Sequence, residues 1–145
     1  MKWTAQFEAD EFRVTISATG DVGRDGFCGC IAKLISHPSW RPGMSVLCDF
    51  RSLNIGSLTK EDIKHLVESD QEFFELTKEA PSLIGVVVAR ELDYGLVRMW
   101  ELYANEMHPG HNVFLEVKDA LQWLRAGAQK RTDVSKYRQS SRSAY

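Results

Sequence analysis

Asp49 and Arg51 follow one apolar, strand-like run of this chain, and Arg90, Asp93 and Tyr94 follow the next, Leu83 to Ala89. In open α/β sheets, ligands settle outside the carboxyl ends of the parallel strands. These residues are therefore expected along one edge. Helices opening near Thr59 and Asp93 would add backbone donors and partial positive charge there. Two guanidinium groups and two helix starts suit a small anion or a phosphorylated group. The plainer alternative is that Asp49–Arg51 and Arg90–Asp93 are ion pairs and that Asp93 caps a helix, the commonest use of such an aspartate. Arg98 and Glu101 lie three apart on one helix face, with Tyr94 a turn before Arg98, and such a pair is ordinarily a solvated contact worth about 0.2–0.5 kcal/mol. Arg90, Tyr94 and Arg98 together are also the set around which a small-molecule enzyme would build a cleft.

Other reactive residue types lack the spacing that their chemistry needs. In Cys28-Gly29-Cys30 the two thiols point about 200° apart on a helix and cannot grip one ion together. Cys48 belongs to a buried strand and behaves as a small hydrophobe. His108-Pro-Gly-His111 places two imidazoles across a turn, and Glu106 could join them on a metal. Pro-Gly chiefly signals the turn itself, and no third ligand stands at a recognisable spacing. His37 reads as a helix end and His65 as an exposed helix face. Gly20, Gly23 and Gly26 give GxxGxxG after a hairpin strand, which is neither a dinucleotide fingerprint nor a phosphate loop. There is no GxSxG, no HExxH and no acid–base carboxylate pair. No residue is nominated for catalysis, and neither a metal nor a cofactor is expected.

The elements that position these residues follow from periodicity. Trp3, Ala5 and Phe7 alternate with Thr4, Gln6 and Glu8, and Phe12, Val14 and Ile16 with Arg13, Thr15 and Ser17, which marks a hairpin turning at Ala9-Asp10-Glu11. A loop over 20–26 leads to a helix with Phe27, Ile31, Leu34 and Ile35 on its buried stripe, stopped by His37-Pro38. Ser45 to Phe50 is a buried strand. Thr59-Lys-Glu-Asp62 resembles a capping box opening a helix to about Thr77, with Ile63, Leu66, Val67, Phe73 and Phe74 inward and Asp70 beside them. Leu83 to Ala89 is a buried strand, and Val97, Trp100, Ala104 and Met107 recur at helical spacing after Asp93. His111 to Glu116 and Lys118 to Arg125 supply a last strand and a short last helix. The order is ββαβαβαβα, with right-handed crossovers in the parallel part. The helix after Asp93 is apolar on a second face as well: Leu96, Met99 and Tyr103 are expected to meet another subunit.

At 145 residues, 43% hydrophobic and 26% charged, the chain is one ordinary soluble domain. A net charge of −2 argues against a dedicated nucleic-acid binder. Residues 126–145 carry Lys130, Arg131, Lys136, Arg138 and Arg142 against Asp133, a net of +4 that leaves −6 on the rest. This tail is either disordered or docked on the acidic helix 60–79 of a partner subunit, where seven acidic residues face three basic ones. Three cysteines suggest no disulfide framework. Glu8 arrives before the apolar core of a signal peptide could form, and no run nears the ~18 residues of a membrane span. A reducing cytoplasm is the expected location.

His37-Pro-Ser-Trp-Arg-Pro-Gly43 before the strand ending at Asp49, Tyr94-Gly-Leu-Val-Arg-Met-Trp-Glu101, Val113-Phe114 and Ala120-Leu-Gln-Trp-Leu124 resemble small bacterial STAS-like proteins. These are relatives in fold of the anti-sigma factor antagonists, with features of Sec14-type lipid-binding domains. The resemblance spans about residues 1–125. It implies a mixed sheet of about five strands, an antiparallel hairpin followed by parallel strands, with about four helices. It also draws attention to Arg98, since an arginine followed by Met and an aromatic recurs in the family. In the antagonists a serine opening the helix after the third strand is phosphorylated. Here Ser57 and Thr59 lie near that place, but the Asp-Ser-Ser-Gly pattern is absent.

The resulting expectation is a STAS-like α/β domain over 1–125 with a basic tail over 126–145. It would act as a homodimeric, non-enzymatic binding or regulatory module for a protein partner or a small anionic or lipid-like ligand.

Overall fold

The structure is a computed structural model that describes residues 1–22, 26–107 and 110–143; within its helices, 27–29, 31, 65, 67–70, 72, 103–107 and 131–143 are described by backbone alone. In β1 (Lys2–Glu8), Trp3, Ala5 and Phe7 are half-buried while Thr4 and Gln6 are exposed, the period-two pattern of an edge strand with one covered face. A 3-10 turn at Ala9–Glu11 leads into β2 (Arg13–Asp21). Phe12 closes this turn in a left-handed backbone, φ 49°, with its N–H donating to Ala9 O at 3.1 Å. That geometry turns Phe12 outward to 46% exposure, against the alternation that would have placed it inside. Arg13 is buried in its stead, and its Nε donates to Glu8 Oε2 at 2.9 Å.

β3 (Ser45–Asn54), β4 (Ile84–Val87) and β5 (His111–Phe114) complete a sheet in the order β1-β2-β3-β4-β5, antiparallel between β1 and β2 and parallel thereafter. β3 runs beyond Phe50, whereas β4 and β5 are shorter than their apolar runs. Register sets Ile16 opposite Cys48, Cys48 opposite Val86 and Val86 opposite Val113. One row of apolar side chains thus crosses four strands on a single face.

On that face lie α1 (Gly26–Ser36), α2 (Lys60–Thr77) and α3 (Glu91–Met107), whose Cys30, Leu34, Phe73, Phe74 and Val97 share the main core with the row. Residues of opposite parity, Leu47 and Val87, face the other way and pack with Ala120 and Leu124 of α4 (Val117–Ser143). Fully burying a side chain such as Val87 stabilises by about 1.5–3 kcal/mol, so each face needs its own helical cover. Five strands thus lie between three helices and one.

Local chemistry places the helix ends. The Thr59 hydroxyl accepts from Asp62 N at 3.1 Å while Asp62 Oδ2 accepts from Thr59 N at 3.0 Å, the reciprocal capping box read from the sequence. α3 opens two residues before Asp93, and Tyr94 N donates to Arg90 O at 2.9 Å, so Arg90 holds the cap position and Asp93 lies inside the first turn. α4 does not stop at Arg125. It continues as one helix to Ser143, and Gly127 comes so close to the β4 approach that a Cβ there would run into Leu83 Cδ1. Among the described residues, no helix is long and apolar enough to cross a membrane.

Candidate functional site

The carboxyl edge of the sheet carries the charges expected there, but already paired. Arg51 donates from Nε to Asp49 Oδ1 and from Nη2 to Asp49 Oδ2, both at 2.8 Å. That side-chain bond lowers the Asp49 carboxyl below its ordinary range against an opposing effect of partial burial, and raises the Arg51 guanidinium in turn. Arg90 donates from Nε and Nη2 to the two oxygens of Asp93, each at 2.9 Å, and the same bond raises its own pKa. Asp93 is 4% exposed at its side chain and Arg90 58%, so Asp93 is the fixed half of this pair. The Arg90 Nη2 lies 3.3 Å from where a Cβ on Gly56 would stand, which brings the β3–α2 loop against the start of α3. A second carbon on Gly56 would push that guanidinium aside.

Arg98 Nη1 reaches both oxygens of Glu101, at 3.0 and 2.8 Å, and Glu101 is 7% exposed at its side chain. This i,i+3 pair is therefore half-buried rather than solvated. Tyr94 is half-buried and packs against the main core. The three pairs Asp49–Arg51, Arg90–Asp93 and Arg98–Glu101 remain separate, with no ion pair joining one to another among the described residues. Ser57 is exposed in the loop before α2, whereas the Thr59 hydroxyl is occupied in its cap. Leu96 turns inward to pack on the core and Met99 is half-buried. The side chain of Tyr103 lies outside the described residues, as do Cys28, Gly23, Asp70, Glu106, His108 and the tail side chains beyond Lys130.

His111 opens β5 among aromatic rings, edge-on to Trp100 at 5.1 Å and to Phe74 at 5.4 Å. Cys30 is buried and its thiol is pushed up to about 12 by desolvation, with Lys33 opposing, so it stays protonated and is no nucleophile. No group of three metal-ligating side chains occurs among the described residues.

Sequence reasoning missed one feature of this face. Between the sheet and α1–α3 lies a cavity of about 100 Å³ with Ile16, Cys48 and Val86 on its floor and Phe73, Phe74 and Val97 on its roof. Most of its lining is buried, but Leu58, Leu96 and Trp100 are half-buried. Leu58 precedes α2 and Leu96 lies near the start of α3, toward the same carboxyl edge as Arg90 and Gly56. The titratable side chains on the lining are Cys30, Cys48 and His111. Apolar periodicity revealed each wall, but a gap between walls has no sequence signal of its own.

No family model matches the chain, and no curated protein matches it either. Among solved structures, the chain is similar to an uncharacterized protein of the DUF3478 family, with a SpoIIAA-like fold, from Shewanella loihica PV-4. The two share 21% identity over 85% of this chain and 92% of that one, with a TM-score of 0.54. That likeness and the observed topology, an antiparallel hairpin whose second strand is the first of four parallel strands with helices on both faces, agree with the STAS resemblance of the sequence. The chain has a SpoIIAA-like α/β fold.

Proposed function

We propose that this protein is a non-enzymatic binding module, working as a homodimer, that takes a small apolar molecule into the cavity between its sheet and α1–α3. The observation that carries this reading is the lining of the cavity. Binding sites ordinarily combine apolar walls with a few convergent polar groups, and catalytic sites add titratable groups tuned to a task. This cavity offers walls of aliphatic and aromatic carbon, a protonated thiol and an imidazole set among aromatic rings. Its size is on the scale of the ~150 Å³ cavity that stays dry and accepts benzene. A ring or a short alkyl group fits, and a longer chain would enter only by its tip.

An anionic ligand is the weaker reading. Each guanidinium at the edge already holds a carboxylate in two hydrogen bonds, so an anion would have to displace its own chain. An enzyme cleft around Arg90, Tyr94 and Arg98 has even less support, because Arg98 and Tyr94 are bound into helix and core. A phosphorylation switch at Thr59 would break the capping box and set phosphate beside the Asp62 carboxylate, leaving Ser57 as the acceptor such a switch would need.

Native mass spectrometry of freshly purified protein, under gentle and then denaturing conditions, tests the reading. The expected result is a dimer carrying a small co-purifying mass that is released on denaturation and is absent from a folded Val97→Phe variant, whose ring would fill the cavity. Equal retention of the mass by that variant would place the ligand elsewhere and count against the reading.

A further inference from the structure

Gly95 stands in the middle of α3, where glycine is a poor helix former, and a Cβ there would meet nothing within 4 Å. The monomer thus gains no packing from the missing side chain. At about 100° per residue, Leu92, Gly95, Met99 and Leu102 fall within an arc of about 80°. Leu92 is 66% and Leu102 59% exposed. The opposite side of the helix carries the buried Asp93, Val97 and Glu101. The outward stripe is accordingly apolar, three turns long, and notched at its centre.

We infer that this stripe is a two-fold interface in which α3 of a second copy of the chain crosses antiparallel at Gly95. The inference rests on the homodimer in the proposed function and names its surface. A glycine at the crossing lets two backbones approach closely, and its neighbours Leu92 and Met99 then fill the space on either side. In an antiparallel pair centred on residue 95, Leu92 lies at the level of Arg98 and Met99 of the other helix. The charges match too. Glu91 and Arg98 occupy the same flank of the stripe, and a two-fold axis sets equal flanks against each other. Glu91 of each copy therefore falls within about one helical rise of Arg98 of the other. Two symmetric ion pairs would close the interface, using the guanidinium nitrogens that Arg98 leaves free beside its Nη1 bond to Glu101. An acidic or basic partner protein would complement this flank only at one of its two charges, whereas a second copy complements both. One helix stripe is smaller than a standard stable interface, so the dimer is expected to dissociate reversibly on dilution.

Sedimentation velocity of the full chain over a dilution series tests this, with thermal melting as the control for folding. The wild type is expected to pass from dimer to monomer on dilution. Gly95→Ala should raise the melting temperature of the monomer, because the methyl is unopposed and alanine favours helix, yet weaken the dimer at least tenfold. Leu92→Glu should leave a folded monomer at every concentration. A wild type that is monomeric throughout would overturn the dimer and this surface together. A dimer unchanged by both variants would overturn this surface alone. A wild-type monomer that sediments with phosphatidylcholine vesicles, in a manner lost in Leu92→Glu, would assign the stripe to a membrane and overturn the inference.

Discussion

Asp49 holds Arg51 through two hydrogen bonds of 2.8 Å, and this sets the sign of its effect on stability. Its carboxyl is lowered in the folded state, chiefly by the Arg51 side chain. The stabilisation is therefore present above the ordinary carboxylate pKa, near 3.8, and is lost as pH falls through the lower folded value. Arg51 is half exposed, so solvent screening keeps the gain near 0.5 kcal/mol. Asp49→Asn should destabilise by about that amount at pH 7 and converge with the wild type at the acid end, as measured by denaturant melts across pH. A deficit that persists unchanged at pH 2 would mean that packing, not the ion pair, is what Asp49 supplies. At this scale the sequence was half legible. The pairs Asp49–Arg51, Arg90–Asp93 and Arg98–Glu101 could be read from spacing, but not the depth at which Asp93 and Glu101 are held, since burial depends on neighbours brought in by the fold.

α4 shows where an element exceeds its sequence signal. Leu121 and Leu124 mark the part that covers the sheet, and beyond Arg125 the apolar period fades into basic and polar residues. Helix propensity and continuity carry the backbone on to Ser143 where no stripe announces it. Gly127 is the internal witness, because its missing Cβ makes room for Leu83. Gly127→Ala gains about 1 kcal/mol of helix propensity but must displace a leucine packed in the second core, an overpacking cost of about 1–3 kcal/mol. The variant is expected to melt below the wild type, and combining it with Leu83→Ala should cost less than the sum of the two single substitutions in a double-mutant cycle. Additive effects would deny the contact. Gly95→Ala, in contrast, adds a methyl to space that is open in the single chain, and its dissociated monomer should melt higher. The capping box and strand alternation were legible because they are local. The left-handed Phe12 and the early start of α3 were not, because they answer to the turn and to Arg90 rather than to periodicity.

For the whole molecule, the parity of the strands divides two tasks. Leu47 and Val87 are buried under α4 against Ala120 and Leu124. Ile16, Cys48 and Val86 look into the other layer, where three helices leave a space unfilled. Protein interiors ordinarily fill such space, and each unfilled volume forfeits dispersion contacts. A cavity kept between well-formed walls is therefore a cost that binding would offset. Methyl-resolved NMR during a titration with benzene tests this claim most directly. Saturable shifts at Val86, Val97 and Leu96, with Leu47 and Val87 of the α4 layer unmoved, are the predicted result. Unmoved cavity methyls at saturating benzene, or shifts confined to the exposed Leu92 and Leu102, would contradict it.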